Sequence, residues 1–208
     1  MVDLNTLLIF IPVALALNIT PGTDMMFCLG QGAKSGTKAG IAAAIGVSAG
    51  GMVHALAGGL GLAAAIAASP VAFEVIRWSG VGYLLYLAIQ TVISPSGALQ
   101  PTEVGVAPVW QAFKDGMLVN LLNPKVAIFM LALVPQFVDP AVGSVLGQFL
   151  IFGTVLSIGG AFVNGGVGAF SGQIRQYLST NNRAAQVLQY ITASVFVALA
   201  AKMALERR

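Results

Sequence analysis

The chain has 208 residues, 57% of them hydrophobic and 8% charged, with a formal net charge of +3. At a mean hydropathy of +0.88 it cannot clothe itself in a water-compatible surface, so a soluble catalytic domain is excluded and lipid is the solvent the sequence suits. Ten basic residues scattered over helix ends make no nucleic-acid footprint, and the single cysteine, Cys28, excludes an internal disulfide or dithiol pair.

A spanning helix takes about 20 apolar residues. Hydropathy and helix breakers place membrane segments at about 4–33, 40–68, 71–93, 112–136, 143–171 and 186–204. The expected fold is therefore an all-α integral membrane protein, one domain over residues 1–208 with about six transmembrane helices. The apolar run opens on Asp3 instead of a basic region, and no convincing cleavage site precedes Gly22. The first segment is expected to stay as a helix and not to act as a secretory signal.

That first segment is interrupted by Thr20-Pro21-Gly22-Thr23-Asp24. Proline removes a backbone donor and glycine loosens the chain, so the helix should break there. Thr20 is the expected N-cap and Pro21 the first residue of a second half-helix running to about Ala33. Asp24 falls in its first turn, where the helix dipole favours an anion. An acid inside a membrane is costly enough to suggest function; the bland alternative is a kink with Asp24 at the surface.

In the second segment Ala42, Gly46, Gly50, His54 and Gly58 recur every four residues, a stripe of mostly small residues that lets another helix or a second copy of the chain come close. His54, the one histidine, is either a proton carrier or a buried hydrogen-bonding residue. Gly46-Val47-Ser48-Ala49-Gly50 matches the G-x-S-x-G nucleophile pattern. On a continuous helix, however, Ser48 and His54 point in well-separated directions, which argues against a serine hydrolase.

A polar connector from Ser94 to Pro108 divides the chain into halves of about 4–93 and 109–204. The fourth segment then carries Asn123-Pro124-Lys125 between apolar runs. Asn123 is a strong N-cap type and Pro124 a first-turn residue, so a half-helix should begin inside the bilayer. Lys125 would sit at its positive end, the wrong end for a cation unless an anion such as a substrate carboxylate lies between them. The alternative is a lysine that snorkels to a nearby interface. In the fifth segment Ser157, Ala161, Gly165 and Ala169 form a second small-residue stripe, and Asn164 beside it is expected to hydrogen-bond between helices.

Shifting the chain by 103 residues lays Pro21 on Pro124, Thr20 on Asn123, Phe10 on Phe113 and Gly50 on Gly153. Each half thus has a proline-interrupted first segment and a glycine-rich second one. Tandem repeats of an odd number of helices must be inverted in the bilayer, and inverted repeats with broken helices are a transporter arrangement. Lys34, Lys38, Lys114, Arg175 and Arg183 fall on one side, against Arg77, Lys202, Arg207 and Arg208 on the other. Giving most weight to the first loop makes its side cytoplasmic, with both termini outside, whereas the basic tail argues the other way.

Taken together, Pro21-Gly22-Thr23-Asp24, the Gly46/Gly50 helix, Gly80-x-x-Tyr83-Leu84-x-Tyr86-Leu87, Phe113-x-x-Gly116-x-x-x-Asn120-x-x-Asn123-Pro124-Lys125 and Pro135-Gln136-Phe137 resemble the LysE/RhtB family of amino-acid exporters. The likeness covers essentially the whole chain, with Thr23 where the family usually carries a second proline. It implies export of amino acids or close derivatives across the bacterial inner membrane, by exchange with protons and without a cofactor or metal. On that reading the substrate-binding candidates are Asp24, Lys125, Asn123, Pro21, Gly22 and Pro124, and the proton-coupling candidates Asp24 and His54. Lys125 and the half-helix N-terminus suit an amino acid's carboxylate, and Asp24 its ammonium. With few deep charges, a small neutral amino acid fits better than a cationic one. The expected partners are this substrate, protons, the lipid bilayer and a second copy of the chain as a homodimer, with no nucleic acid. A cation or metal exporter is the alternative, but it would want several carboxylates, thiolates or imidazoles. A membrane enzyme of the thiol-disulfide kind is weaker still, because Cys28 has no partner cysteine, and so is a structural scaffold, because an unwound backbone in lipid must line a cavity or be buried.

Overall fold

A computed structural model describes residues 2–68, 70–93, 104–171 and 182–205, and every regular element among them is a helix. In chain order these are α1 (Leu4–Ile19), α2 (Thr23–Ser35), α3 (Thr37–Ala68), α4 (Pro70–Ile93), α5 (Val109–Leu121), α6 (Pro124–Ile128), α7 (Val145–Ala169) and α8 (Asn182–Leu205). Between α6 and α7 the chain passes through a π-helical turn at Phe129–Leu133 and two 3-10 turns, Val134–Phe137 and Pro140–Val142. The greater part of the connector expected at 94–108 lies outside the described residues, as do Arg175, Arg207 and Arg208.

Among the described residues, two single helices are long and apolar enough to cross a membrane, over Thr37–Ala64 and Val145–Ala169. Two bent pairs each add a further candidate if counted as one span: Leu4–Ile19 with Thr23–Ser35, bent by 56°, and Val109–Leu121 with Pro124–Phe137, bent by 54°. The breaks fall at the two prolines the sequence singles out. The capping at the first is different from expectation. Thr20 ends α1 instead of opening α2: its backbone N–H and its hydroxyl both donate to the Ala16 carbonyl, and Gly22 takes the N-cap position of α2. The reason is that a threonine hydroxyl can turn back to a carbonyl four residues earlier. Pro21 accordingly lies between the two helices and not within the second. At the other break the expectation holds, with Asn123 Oδ1 accepting from the Lys125 backbone N–H at 3.0 Å and Pro124 opening α6.

Helix α3 runs through the centre of the packing, against α5 and α7, while α4 and α8 pair with each other. Close approach explains the glycines. A Cβ on Gly46 would collide with the Phe113 carbonyl, and one on Gly116 with that of Ala43, so α3 and α5 touch backbone to backbone. Gly50 backs onto Asn120 and Gly58 onto Phe149, so the stripe in the second segment is occupied by helices of the same chain. A second cluster gathers Phe10, Phe137 and Phe152, whose ring centroids lie 4.7 to 5.9 Å apart and fix α1 against α7.

Candidate functional site

The two breaks meet. Pro21 has no N–H, so the Leu17 carbonyl four residues earlier loses its helical donor. Lys125 supplies one from across the fold: its ammonium donates to Leu17 O and to Thr20 O, both at 3.0 Å. A cation that is misplaced at the start of α6 is thereby well placed at the negative end of α1. On the other side of the break, Asp24 in the first turn of α2 accepts from Asn120 Nδ2 at 2.7 Å and from Asn123 Nδ2 at 2.9 Å. Asn123 therefore serves twice, capping α6 with its oxygen and holding the Asp24 carboxylate with its nitrogen.

These groups line a cavity of about 40 Å³ bounded by α1, α2, α3, α5, α6 and α7. Asp24, Lys125, Asn123 and Gly22 are on its wall, and a Cβ on Gly22 would come within 3.6 Å of the Lys125 ammonium. Pro21 and Pro124, also expected to bind substrate, sit at the breaks and are not among the residues that line the cavity. His54 lies one hydrogen bond away from the wall, its Nε2 3.1 Å from the carbonyl oxygen of Asn120. Ser48 and His54 do not approach as a catalytic pair would: Ser48 Oγ has no hydrogen-bond partner.

On the remaining wall, Ser48, Ser157 and Asn164 carry other readings in the sequence, whereas Asn18, Gly51 and Gly160 were missed. Asn18 reaches it from the last turn of α1, where it donates to the Leu156 carbonyl at 3.0 Å. Ser48 and Gly51 come from α3, and Ser157, Gly160 and Asn164 from α7. Their spacing of three and four residues puts each set on one helical face, a signal that stood in the sequence beside the more conspicuous small-residue stripes. Ser48 Oγ, Asn120 Oδ1, Ser157 Oγ and Asn164 Oδ1 are buried without a hydrogen-bond partner, and all four residues face this cavity. Each such atom costs about 1–3 kcal/mol if nothing pairs with it. Their gathering round one space makes it the candidate site for a polar ligand.

The family model described as LysE type translocator matches residues 15–207. The chain belongs to the LysE family of translocators. A leucine efflux protein of Enterobacter sp. (strain 638) is 31% identical over 188 residues, covering 89% of either chain. An uncharacterized membrane protein of Vibrio cholerae is 30% identical over 180 residues, 86% of this chain and 87% of its own length. A homoserine/homoserine lactone efflux protein of Salmonella typhi is 27% identical over 191 residues, 92% of each. No solved structure matches. This family member is thus a membrane protein, and the cavity at its paired helix breaks is the candidate translocation site.

Proposed function

We propose that this protein exports small neutral amino acids or their close derivatives across the bacterial inner membrane, in exchange for protons. The observation that carries the reading is the cavity itself, where one acid and one lysine from two broken helices share a wall with unpartnered polar atoms. A zwitterion has one charge of each sign. Its carboxylate would take the Lys125 ammonium and the orphan N–H groups at a half-helix start, and its ammonium would take Asp24 and the α1 carbonyls that Lys125 then releases. The efflux proteins of Enterobacter and Salmonella support an amino-acid cargo.

The present space holds on the order of one or two water molecules, so substrate entry requires the cavity to widen. The breaks at Ile19–Thr23 and Leu121–Pro124 are the natural hinges. Six spans in two inverted repeats of three give such hinges equivalent positions in each half. The offset of 103 residues between Pro21 and Pro124 and the similar bends of 56° and 54° support that layout. Asp24 is the better proton carrier of the two candidates, because its carboxylate lines the cavity while His54 is engaged behind Asn120.

Counterflow into proteoliposomes tests the function. Vesicles preloaded with an unlabelled neutral amino acid should accumulate its labelled form, and other small neutral amino acids should compete where lysine, arginine and inorganic cations do not. Competition by cations alone would overturn the reading.

A further inference from the structure

We infer that Ser48, Ser157 and Asn164 form a side-chain subsite that selects a hydroxylated amino acid over an alkyl one, an assignment that rests on the transport reading above. The three residues come from α3 and α7, the two long helices that contribute neither charge to the cavity wall. Asn164 is 4% exposed, lines the cavity and keeps its Oδ1 unpartnered there; the Oγ atoms of Ser48 and Ser157 are unpartnered as well. Glycine keeps this part of the wall open. A Cβ on Gly51 would stand 3.0 Å from Ser157 Oγ, and one on Gly160 would stand 3.2 Å from Asn18 Oδ1 and 3.8 Å from Ser48 Oγ.

Two hydroxyls and an amide oxygen offer both donors and acceptors to whatever enters beyond the charged ends. An isobutyl or isopropyl side chain would cover these atoms and leave them unpaired, after expelling any water that served them. A hydroxyl would pair with them. A site built to hydrogen-bond a substrate hydroxyl rejects the analogue that lacks it far more strongly than an apolar pocket rejects a change of one methylene. Asn120 Oδ1, the fourth unpartnered atom, sits on the residue that holds Asp24 and is left to the substrate's ammonium.

The test uses isosteric pairs so that size cancels: threonine against valine, and homoserine against norvaline, as competitors of labelled L-alanine counterflow in proteoliposomes. The wild type should favour the hydroxylated member of each pair by about tenfold or more. Ser48→Ala with Ser157→Ala, and separately Asn164→Leu, should bring both ratios towards one, read from L-alanine counterflow or, where a variant exchanges too slowly, from thermal stabilisation of the purified protein by each member of a pair. Equal competition within each pair in the wild type would overturn the subsite and leave the zwitterion site standing. Variants that keep the wild-type ratios by either readout would overturn the assignment to these three residues. Failure of wild-type protein to exchange any amino acid, L-alanine included, would remove the transport reading and the subsite with it.

Discussion

Lys125 shows why a charge cannot be assigned from its own helix alone. Read along the sequence it is a cation at the repelling end of a dipole; in the fold it completes the carbonyl that Pro21 leaves bare, 108 residues away from Leu17. Asn123 is the residue that joins the two breaks, through Lys125 N on one side and Asp24 on the other. Asn123→Ala should therefore lower stability in detergent by about 1 kcal/mol through the lost cap and also slow exchange. Asn123→Asp keeps the capping oxygen but sets a second carboxylate against Asp24 in a buried position, so both melting temperature and counterflow should fall below those of the alanine variant. An aspartate variant that exchanges like wild type would show that the Asp24 contact is dispensable.

At the scale of elements, the breaks and the long helices were legible because they follow from covalent facts: proline lacks a donor, and apolar runs of sufficient length have few destinations. The helical character of all the segments and the Asn123 cap followed directly. What was not legible depended on partners. Thr20 is compatible with capping either helix, and only the position of the Ala16 carbonyl decides that it ends α1. The polar face of α7 was read as interhelical hydrogen bonding because nothing in the sequence says that Asn164 Oδ1 meets a cavity instead of a donor. The sequence leaves open whether a helix or a second subunit meets the glycine stripe; in the fold α5 and Phe149 lie against it. Gly46→Leu should consequently reduce the yield of folded, monodisperse protein several-fold, because a side chain there meets the Phe113 backbone, which cannot move aside. Gly82→Leu is the control, since among the described residues no atom beyond its own stretch of helix lies within 4 Å of a Cβ there, and its yield should match wild type in detergent-solubilised fractions analysed by size exclusion. Equal yields from both variants would contradict the close contact of α3 with α5.

Across the whole molecule, the arrangement joins a rigid part to a hinged one. Helices α3 and α7 are unbroken and pack along each other, whereas the pairs α1/α2 and α5/α6 bend where their prolines fall and carry the charged groups. On the proposed function, this small space, with the lysine held by carbonyls and the acid held by amides, would be a resting arrangement in which the protein's own groups stand in for substrate. Binding would exchange these internal contacts for contacts to a zwitterion, which is how a ligand can bias a hinge: only a difference in interaction between the two states can shift them. The most direct test of this account is labelled amino-acid counterflow by purified Lys125→Met and Asp24→Asn proteins, each first shown to be monodisperse. Lys125→Met should abolish counterflow, and Asp24→Asn should suppress it and remove the pH dependence of any residual exchange. Counterflow near the wild-type rate in both variants would contradict the account and leave the two motifs as punctuation between helices.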